Sequence, residues 1–151
     1  MSKDCQILLV EDNEDDYEAA FRSLQKNHFI NPIKWCKSGQ DALDYLRGQG
    51  QHKDRGTAQN PCLILLDLNM PGIDGRQVLS QIKQDEKLKS IPVVILTTSS
   101  DAKDVEQCYM IGASTYIQKP VSFEGLTEAI RTMKDYWFGV AILPDKDCHK
   151  A

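Results

Sequence analysis

The chain has 151 residues, with 22 acidic and 18 basic side chains, a formal net charge of −4 and 41% hydrophobic residues. This composition predicts one globular domain over residues 1–151, because the chain is too apolar for a disordered tail. An acidic chain without a basic run is a poor nucleic-acid binder, and no apolar stretch approaches the ~20 residues that a membrane helix needs.

The start of the chain and its cysteines favour a cytoplasmic protein. No secretory signal peptide precedes the first apolar run. The cysteines are odd in number and form no C-x-x-C pair, so they are predicted to be reduced, mostly buried thiols. They are Cys5, Cys36, Cys62, Cys108 and Cys148. The histidines are isolated as well, and we predict no soft-metal site.

Short apolar runs alternate with longer amphipathic stretches along the chain. The apolar runs predict five strands, in chain order 7–10, 33–36, 62–66, 92–96 and 114–118. Apolar residues at helical spacing predict five helices, carried in chain order by residues 17–24, 42–46, 78–82, 101–112 and 123–137.

Other residues mark where these elements begin and end. Asn31-Pro32 is predicted to end the first helix, because the residue before a proline avoids helical dihedrals. Ser38 and Asp101 are predicted helix caps. The polar segment 48–61 is predicted to be a long surface loop.

The alternation of strands and helices predicts an open three-layer α/β fold. Near-continuous Leu, Ile and Val runs indicate strands that are covered on both faces. Alternation of strands and helices implies right-handed crossovers and a parallel sheet. Ligands of such sheets bind beyond the carboxyl ends of the strands, so the residues at the strand ends are the candidates for a site.

Charged and hydroxyl side chains follow four of the five predicted strands. Glu11 and Asp12 follow the first, Asp67 the third, Thr97 ends the fourth and Lys119 follows the fifth. Three clustered carboxylates repel one another unless a proton or a cation lies among them. Oxygen ligands on an open rim suit Mg²⁺, and a lysine supplies a point charge for a phosphoryl oxygen.

Asp67 is the predicted nucleophile, because a carboxylate can form an aspartyl phosphate and Asp67 ends the central strand. The alternative is that Glu11 and Asp12 cap a helix while Asp67 begins a turn. That alternative accounts for the presence of each acidic residue when it is considered alone. It does not explain why four strand ends carry such groups together.

Four segments resemble the signature blocks of two-component response regulator receiver domains, in the same order and over about residues 5–137. These blocks are Val10-Glu11-Asp12-Asn13, the segment 65–75 around Asp67, Leu96-Thr97-Thr98-Ser99, and the segment 112–120 that ends in Lys119-Pro120. The extended segment 48–61, the segment 91–99 and the tail 136–144 are similar to those of phytochrome-associated response regulators of cyanobacteria and other bacteria.

The resemblance implies a flavodoxin-like (βα)5 fold with the parallel sheet order 2-1-3-4-5. It implies that Asp67 accepts a phosphoryl group from a histidine kinase, here a phytochrome. It further implies Mg²⁺ held by Glu11, Asp12, Asp67 and the backbone carbonyl of Asn69. Such a protein is a phosphoacceptor that assists its own phosphorylation and dephosphorylation, not an enzyme, and its output passes to a downstream effector or phosphotransfer protein.

The resemblance also implies a conformational switch. Thr97 moves toward the phosphoryl group, and Tyr116 turns from an exposed to a buried rotamer in the space that Thr97 leaves. The positions of Asn69 and Ser99 influence the lifetime of the acyl phosphate. The resemblance implies a cis peptide before Pro120, which would aim Lys119, while the residues themselves leave the isomer open.

The end of the chain carries more apolar residues than one helix stripe can hide, which predicts an apolar extension at 138–151 and a homodimer. The alternative is that the tail folds back on its own domain. The predicted interface residues are Tyr136, Trp137, Phe138, Ile142 and Leu143.

Three other functions fit the sequence less well. A haloacid dehalogenase-type phosphatase needs a D-x-D pattern after its first strand, whereas Asp67-Leu68-Asn69 has an amide and follows the third. No glycine-rich nucleotide-binding motif follows any strand. A phosphorylation-independent receiver-like dimer or interaction module is the remaining alternative.

Overall fold

A computed structural model of the chain describes residues 5–55 and 60–144, in which five strands and five α-helices alternate. The strands are β1 (Ile7–Val10), β2 (Ile33–Cys36), β3 (Leu63–Leu66), β4 (Val93–Thr97) and β5 (Thr115–Gln118). The helices are α1 (Glu14–Lys26), α2 (Gly39–Arg47), α3 (Gly75–Gln84), α4 (Ala102–Ile111) and α5 (Phe123–Asp135).

The strands form one parallel sheet in the order β2-β1-β3-β4-β5, which confirms the predicted flavodoxin-like topology. In the register of the sheet, Ile7 lies opposite both Ile33 and Leu63. The carboxyl ends of the strands therefore meet at one edge, which we call the carboxyl edge.

Alternate strand residues pack into apolar layers on opposite faces of the sheet. Leu8 and Val10 join the layer that α2, α3 and α4 cover. Ile7 and Leu9 join the layer that α1 and α5 cover. All four residues are at most 3% exposed, so burial on both faces holds the strand ends in place.

Each helix begins at a residue whose side chain accepts a backbone hydrogen bond. Ser38 and Asp101 cap α2 and α4, as predicted. Asp74 and Gln77 form a capping box at the start of α3. Asn13 and Ser122 cap α1 and α5, so the two helices that flank β1 on one face both start near the carboxyl edge.

Several predicted boundaries are wrong by a few residues. The helix α1 ends at Lys26, before Asn31-Pro32, because His28 adopts a left-handed φ of 59° that ends the helix. Residues Gly50–Arg55, predicted as loop, form a 3₁₀ helix. The strand β4 starts at Val93, because Pro92 has no N–H to join the ladder.

The prediction that all cysteines are reduced is wrong for two of them. A disulfide joins Cys5 to Cys62, whose Cα atoms are 5.8 Å apart. These residues precede β1 and β3, which are neighbours in the sheet, so residues 57 apart in sequence meet at its amino edge. Cys36 and Cys108 are free, buried thiols as predicted, and Cys148 lies outside the described residues.

Candidate functional site

Three acidic residues meet at the carboxyl edge, and we call them the acidic cluster: Glu11, Asp12 and Asp67. One carboxylate oxygen from each lies within 4.8 Å of those of the other two. The Asp67 N–H donates to the Val10 carbonyl (3.1 Å), which extends the sheet ladder and places Asp67 beside the two acids after β1. Glu11 and Asp67 are only 3% and 7% exposed, whereas Asp12 faces solvent.

Burial makes these carboxylates costly to ionise. It raises the pKa of Glu11 from 4.5 to about 7, and the charge of Asp67 adds to the shift although the Lys119 ammonium opposes it. Burial likewise raises the pKa of Asp67, against the effects of Lys119 and of a hydrogen bond to Thr97. The cluster therefore holds more negative charge than its surroundings compensate, and it favours a proton or a cation.

Lys119 supplies the positive charge beside the cluster. Its ammonium group lies 2.6 Å from Glu11 Oε2 and 3.5 Å from Asp16 Oδ2, and its side chain is 13% exposed. Burial lowers the pKa of Lys119, but the hydrogen bond to Glu11 and the charge of Asp67 outweigh burial and raise it above its ordinary value. Lys119 is therefore protonated at neutral pH.

The expected cis peptide before Pro120 is wrong: no peptide bond among residues 5–55 and 60–144 is cis. A trans bond is the ordinary preference of a residue before proline. Lys119 is aimed instead by its backbone N–H, which donates to the Thr97 carbonyl at 2.6 Å, and by its ion pair with Glu11.

Thr97 and Asn69 lie beside the acidic cluster. Thr97 is fully buried, and its hydroxyl accepts a hydrogen bond from the Asn69 amide (3.3 Å). Asn69 itself is exposed in the loop two residues after Asp67. The structure thus brings both predicted residues to the site, while a role for the Asn69 carbonyl as a metal ligand stays a prediction.

Tyr116 is half-buried on β5 and packs against the apolar layer under α4. Its hydroxyl donates to the Ser99 carbonyl at 2.9 Å. This contact places the ring on the loop between β4 and α4, which follows Thr97 directly. Movement of Tyr116 on phosphorylation stays a prediction.

The donor set fits the predicted metal. Oxygen atoms from three carboxylates, one of them solvent-exposed, are the hard ligands that Mg²⁺ prefers, and an open rim leaves room for its waters. The negative charge of the two buried carboxylates, Glu11 and Asp67, also favours binding of a cation. Glu11, Asp12 and Asp67 are therefore the residues that would hold a divalent cation.

A cavity of about 240 Å³ adjoins the cluster between α1 and α5. Its wall is mainly apolar, with Ala20, Leu65 and Leu126 among its residues, but Asp67 and Lys119 line one end. The acidic cluster is thus at a rim of the protein and is not sealed inside it.

Sequence reasoning missed two residues near the site. Asp16, in the first turn of α1, forms an ion pair with Lys119. The only sequence feature that indicates this is its position five residues after Glu11. Trp35 donates its indole N–H to the Glu11 carbonyl (2.8 Å) and stacks on Tyr17 with ring centroids 3.9 Å apart. A tryptophan on a short strand with few apolar residues does not by itself predict a hydrogen bond to the Glu11 backbone.

The predicted interface residues divide into two groups. Trp137 and Phe138 are half-buried against the layer of α1 and α5, where the Phe138 ring meets Phe29 edge-on at 5.1 Å. Tyr136 and Ile142 are 52% and 98% exposed. Leu143 is half-buried, and Tyr136–Val140 forms a π-helical turn that continues α5. The tail thus folds back in part, and residues 145–151 of the predicted extension lie outside the described residues.

No helix in the described part of the chain is long and apolar enough to cross a membrane.

Comparisons with known proteins agree with this geometry. The family described as "Response regulator receiver domain" matches residues 7–131. The chain is 43% identical over 133 residues to the probable methanogenesis regulatory protein FilR2 of Methanothrix harundinacea, covering 88% of this chain and 83% of that protein. It is 36% identical over 138 residues to the response regulator Rcp1 of Synechocystis, covering 91% and 92%.

Solved structures give the same result. The phosphorylated cyanobacterial phytochrome response regulator RcpA superposes with a TM-score of 0.86 at 36% identity, covering 94% of this chain and 99% of that one. The Mn²⁺-bound form of Rcp1 superposes with a TM-score of 0.85 at 35% identity, covering 93% and 99%.

Proposed function

The chain belongs to the response regulator receiver family, and on that premise we propose that it accepts a phosphoryl group from a histidine kinase on Asp67. The observation that carries this proposal is the meeting of a protonated lysine with a buried acidic cluster that contains Asp67. A lone turn residue would need neither the burial nor the lysine. The burial and the lysine therefore favour this proposal over simple helix caps.

The transfer follows from the groups present. An Asp67 carboxylate oxygen attacks phosphorus of the kinase phosphohistidine, the new P–O bond forms, and the P–N bond breaks with its electron pair left on the imidazole. Glu11, Asp12, Asp67 and the Asn69 carbonyl would hold Mg²⁺, whose positive charge would be available to the phosphoryl oxygens. Lys119 adds its own charge there, and the buried Thr97 hydroxyl turns to donate a hydrogen bond to the product.

We further propose that the kinase is a phytochrome. Support comes from the extended similarity to RcpA, a phytochrome response regulator that covers almost the whole chain. The metal assignment has support from the Mn²⁺-bound form of Rcp1. The higher identity to FilR2, a probable methanogenesis regulatory protein, makes other histidine kinases a necessary comparison in the test.

The proposed output is a change of the surface around Tyr116 that a downstream effector or phosphotransfer protein recognises. Phosphorylation biases two conformations only as far as the phosphoryl group contacts them differently. Thr97 and Tyr116 are the residues proposed to differ, because one touches the cluster and the other touches the loop that follows Thr97. The exposed Tyr136 and Ile142 are proposed for a homodimer interface.

Phosphotransfer from an autophosphorylated phytochrome kinase tests the proposal. With labelled ATP and Mg²⁺, label is expected on the wild-type chain, and EDTA or the Asp67→Asn change should abolish it. Glu106→Gln, which alters an exposed acid of α4, is the matched control and should keep the label. Label that persists on Asp67→Asn contradicts the acceptor assignment, and label only from other kinases contradicts the phytochrome partner.

Trapping with beryllofluoride separates this function from the phosphorylation-independent interaction module. The fluoride complex mimics a phosphoryl group on a carboxylate, and its capture is expected to need both Mg²⁺ and Asp67. A wild-type chain that captures none in the presence of Mg²⁺ would favour the interaction module.

A further inference from the structure

An ion pair outside the acidic cluster joins the first turns of α3 and α4. The Arg76 guanidinium donates from Nε (3.2 Å) and Nη2 (2.5 Å) to Asp104 Oδ1. The side chains are 23% and 22% exposed. The hydrogen bond to Asp104 raises the pKa of Arg76, and bonds from Arg76 and Ser99 lower the pKa of Asp104. Both groups are therefore charged at neutral pH.

The second oxygen of Asp104 holds the loop between β4 and α4. Asp104 Oδ2 accepts a hydrogen bond from the Ser99 hydroxyl at 2.8 Å, and the Asp101 N–H donates to the same hydroxyl at 3.3 Å. Ser99 is two residues after Thr97, the buried hydroxyl of the site. The Ser99 side chain thus links the loop between β4 and α4 to the ion pair of Arg76 and Asp104.

The same loop residue holds Tyr116. The Ser99 carbonyl accepts from the Tyr116 hydroxyl (2.9 Å), and the Tyr116 N–H donates to the hydroxyl of Tyr109 on α4 (3.1 Å). Tyr116 lies on the edge strand β5, so α4 and the loop hold it at both its backbone and its ring. We call Arg76, Asp104, Ser99 and Tyr116 the Arg76 relay.

We propose that Arg76 and Asp104 are positioning residues that hold Tyr116 inward on Ser99 and so preorganise the β4–α4 loop for phosphorylation of Asp67. The proposal rests on the proposed function, which it deepens. Neither residue touches the acidic cluster, and both act through Ser99. A charge-assisted bond to Asp104 restricts the Ser99 backbone, and with it the carbonyl that receives Tyr116.

Preorganisation has a measurable consequence. If the competent arrangement of the loop is only partly populated, the apparent affinity for a phosphoryl mimic falls by that fraction. The simpler view is that Arg76 and Asp104 form an ordinary surface pair with a small effect on stability. That view predicts no change at Tyr116, which lies on β5 and not on either helix.

Fluorine NMR of the full chain labelled with 3-fluorotyrosine tests the position of Tyr116 directly. Tyr116→Phe assigns the signal. Asp104→Asn, which keeps the shape of the side chain, and Ser99→Ala are expected to move the Tyr116 signal toward that of an exposed tyrosine, with Tyr17 and Tyr45 unchanged. Glu128→Gln, which breaks the exposed Arg131–Glu128 pair of α5, is the matched control and should leave Tyr116 in place. A Tyr116 signal that ignores Asp104→Asn and Ser99→Ala overturns the relay.

Titration with beryllofluoride and Mg²⁺ tests the link to phosphorylation. Asp104→Asn and Arg76→Gln are expected to weaken capture about fivefold, and Glu128→Gln should match wild type. Equal capture by wild type and Asp104→Asn, when both fold, overturns the preorganising role. A wild-type chain that captures none instead contradicts the proposed function, while the NMR result still decides whether the relay holds Tyr116.

Discussion

At Glu11 the fold buries a carboxylate beside two others, and the cost of ionising it depends on pH. The pKa of Glu11 is about 7 in the folded chain against an ordinary value of 4.5, because of burial first and then the charge of Asp67. Between these values the folded chain keeps a proton that the unfolded chain releases. The stability that the protonated Glu11 contributes is therefore fully present below pH 4.5 and is lost as the pH rises through 7.

The change Glu11→Gln should remove most of this decline. In EDTA, the difference in the free energy of unfolding between acid and neutral pH should shrink by up to about 3 kcal/mol relative to wild type. Urea denaturation at pH 4.5 and pH 7.5 measures it. Glu106→Gln, at an exposed position of α4, should keep the wild-type decline. The same decline in Glu11→Gln as in wild type would show that the buried Glu11 is not its source.

At the scale of elements, α3 begins in direct contact with the backbone that carries Asp67. A Cβ on Gly75 would lie 2.3 Å from the Asp67 carbonyl oxygen and 2.6 Å from the Leu68 Cα, which are backbone atoms that cannot turn aside. Gly75→Ala should cost about 1–3 kcal/mol of unfolding free energy. It should also weaken Mg²⁺ binding, because the Asp67 loop must move.

Thermal unfolding with and without Mg²⁺ measures both effects. Gly139→Ala is the matched control, since a Cβ there meets nothing within 4 Å, and it should lower neither quantity. Mg²⁺ stabilisation of Gly75→Ala equal to wild type would contradict the coupling between the start of α3 and the acidic cluster.

The disulfide ties the starts of β1 and β3 at the edge of the sheet opposite to the acidic cluster. It closes a loop with a sequence separation of 57 residues, for which chain entropy gives a stabilisation of about 4 kcal/mol. Replacing both Cys5 and Cys62 by alanine should lower the denaturant midpoint accordingly. Dithiothreitol should lower the wild-type midpoint and leave the double variant unchanged. A wild-type midpoint that dithiothreitol does not alter would contradict a stabilising disulfide.

At the scale of the whole molecule, the π-helical turn after α5 and the residues just after it carry apolar side chains that their own domain leaves uncovered. Val140 is 74% exposed and Ile142 is 98% exposed, beside the half-exposed Tyr136. Light scattering at micromolar concentration should report a dimer mass for the wild-type chain. Ile142→Ser combined with Val140→Ser should shift the mass toward a monomer.

Met110 offers the control for this experiment, because it is 81% exposed on α4, away from the turn. Met110→Ser should keep the dimer. A monomeric wild-type chain would reject the dimer proposal, and loss of the dimer in Met110→Ser would assign the interface to another face.

The sequence by itself determined which residues lie at the carboxyl edge. The order of the strands in the sheet came from the family resemblance. In a parallel sheet every strand ends at the same edge, so residues that follow separate strands, such as Asp67 and Lys119, must converge. Apolar runs identify those strands without knowledge of packing. Apolar periodicity and the residues that follow a strand are local properties of the sequence. The pattern of residue types is therefore sufficient to predict them.

Only the tertiary structure decided which side chains from distant segments touch. The Cys5–Cys62 disulfide depends on β1 and β3 being neighbours, and the pair of Arg76 with Asp104 depends on how α3 and α4 pack. The division of the tail between Phe138, which packs on Phe29, and Ile142, which faces solvent, depends on the surface that α1 and α5 offer. Such contacts arise from strand order and side-chain packing across the fold, and no local pattern of residue types encodes them.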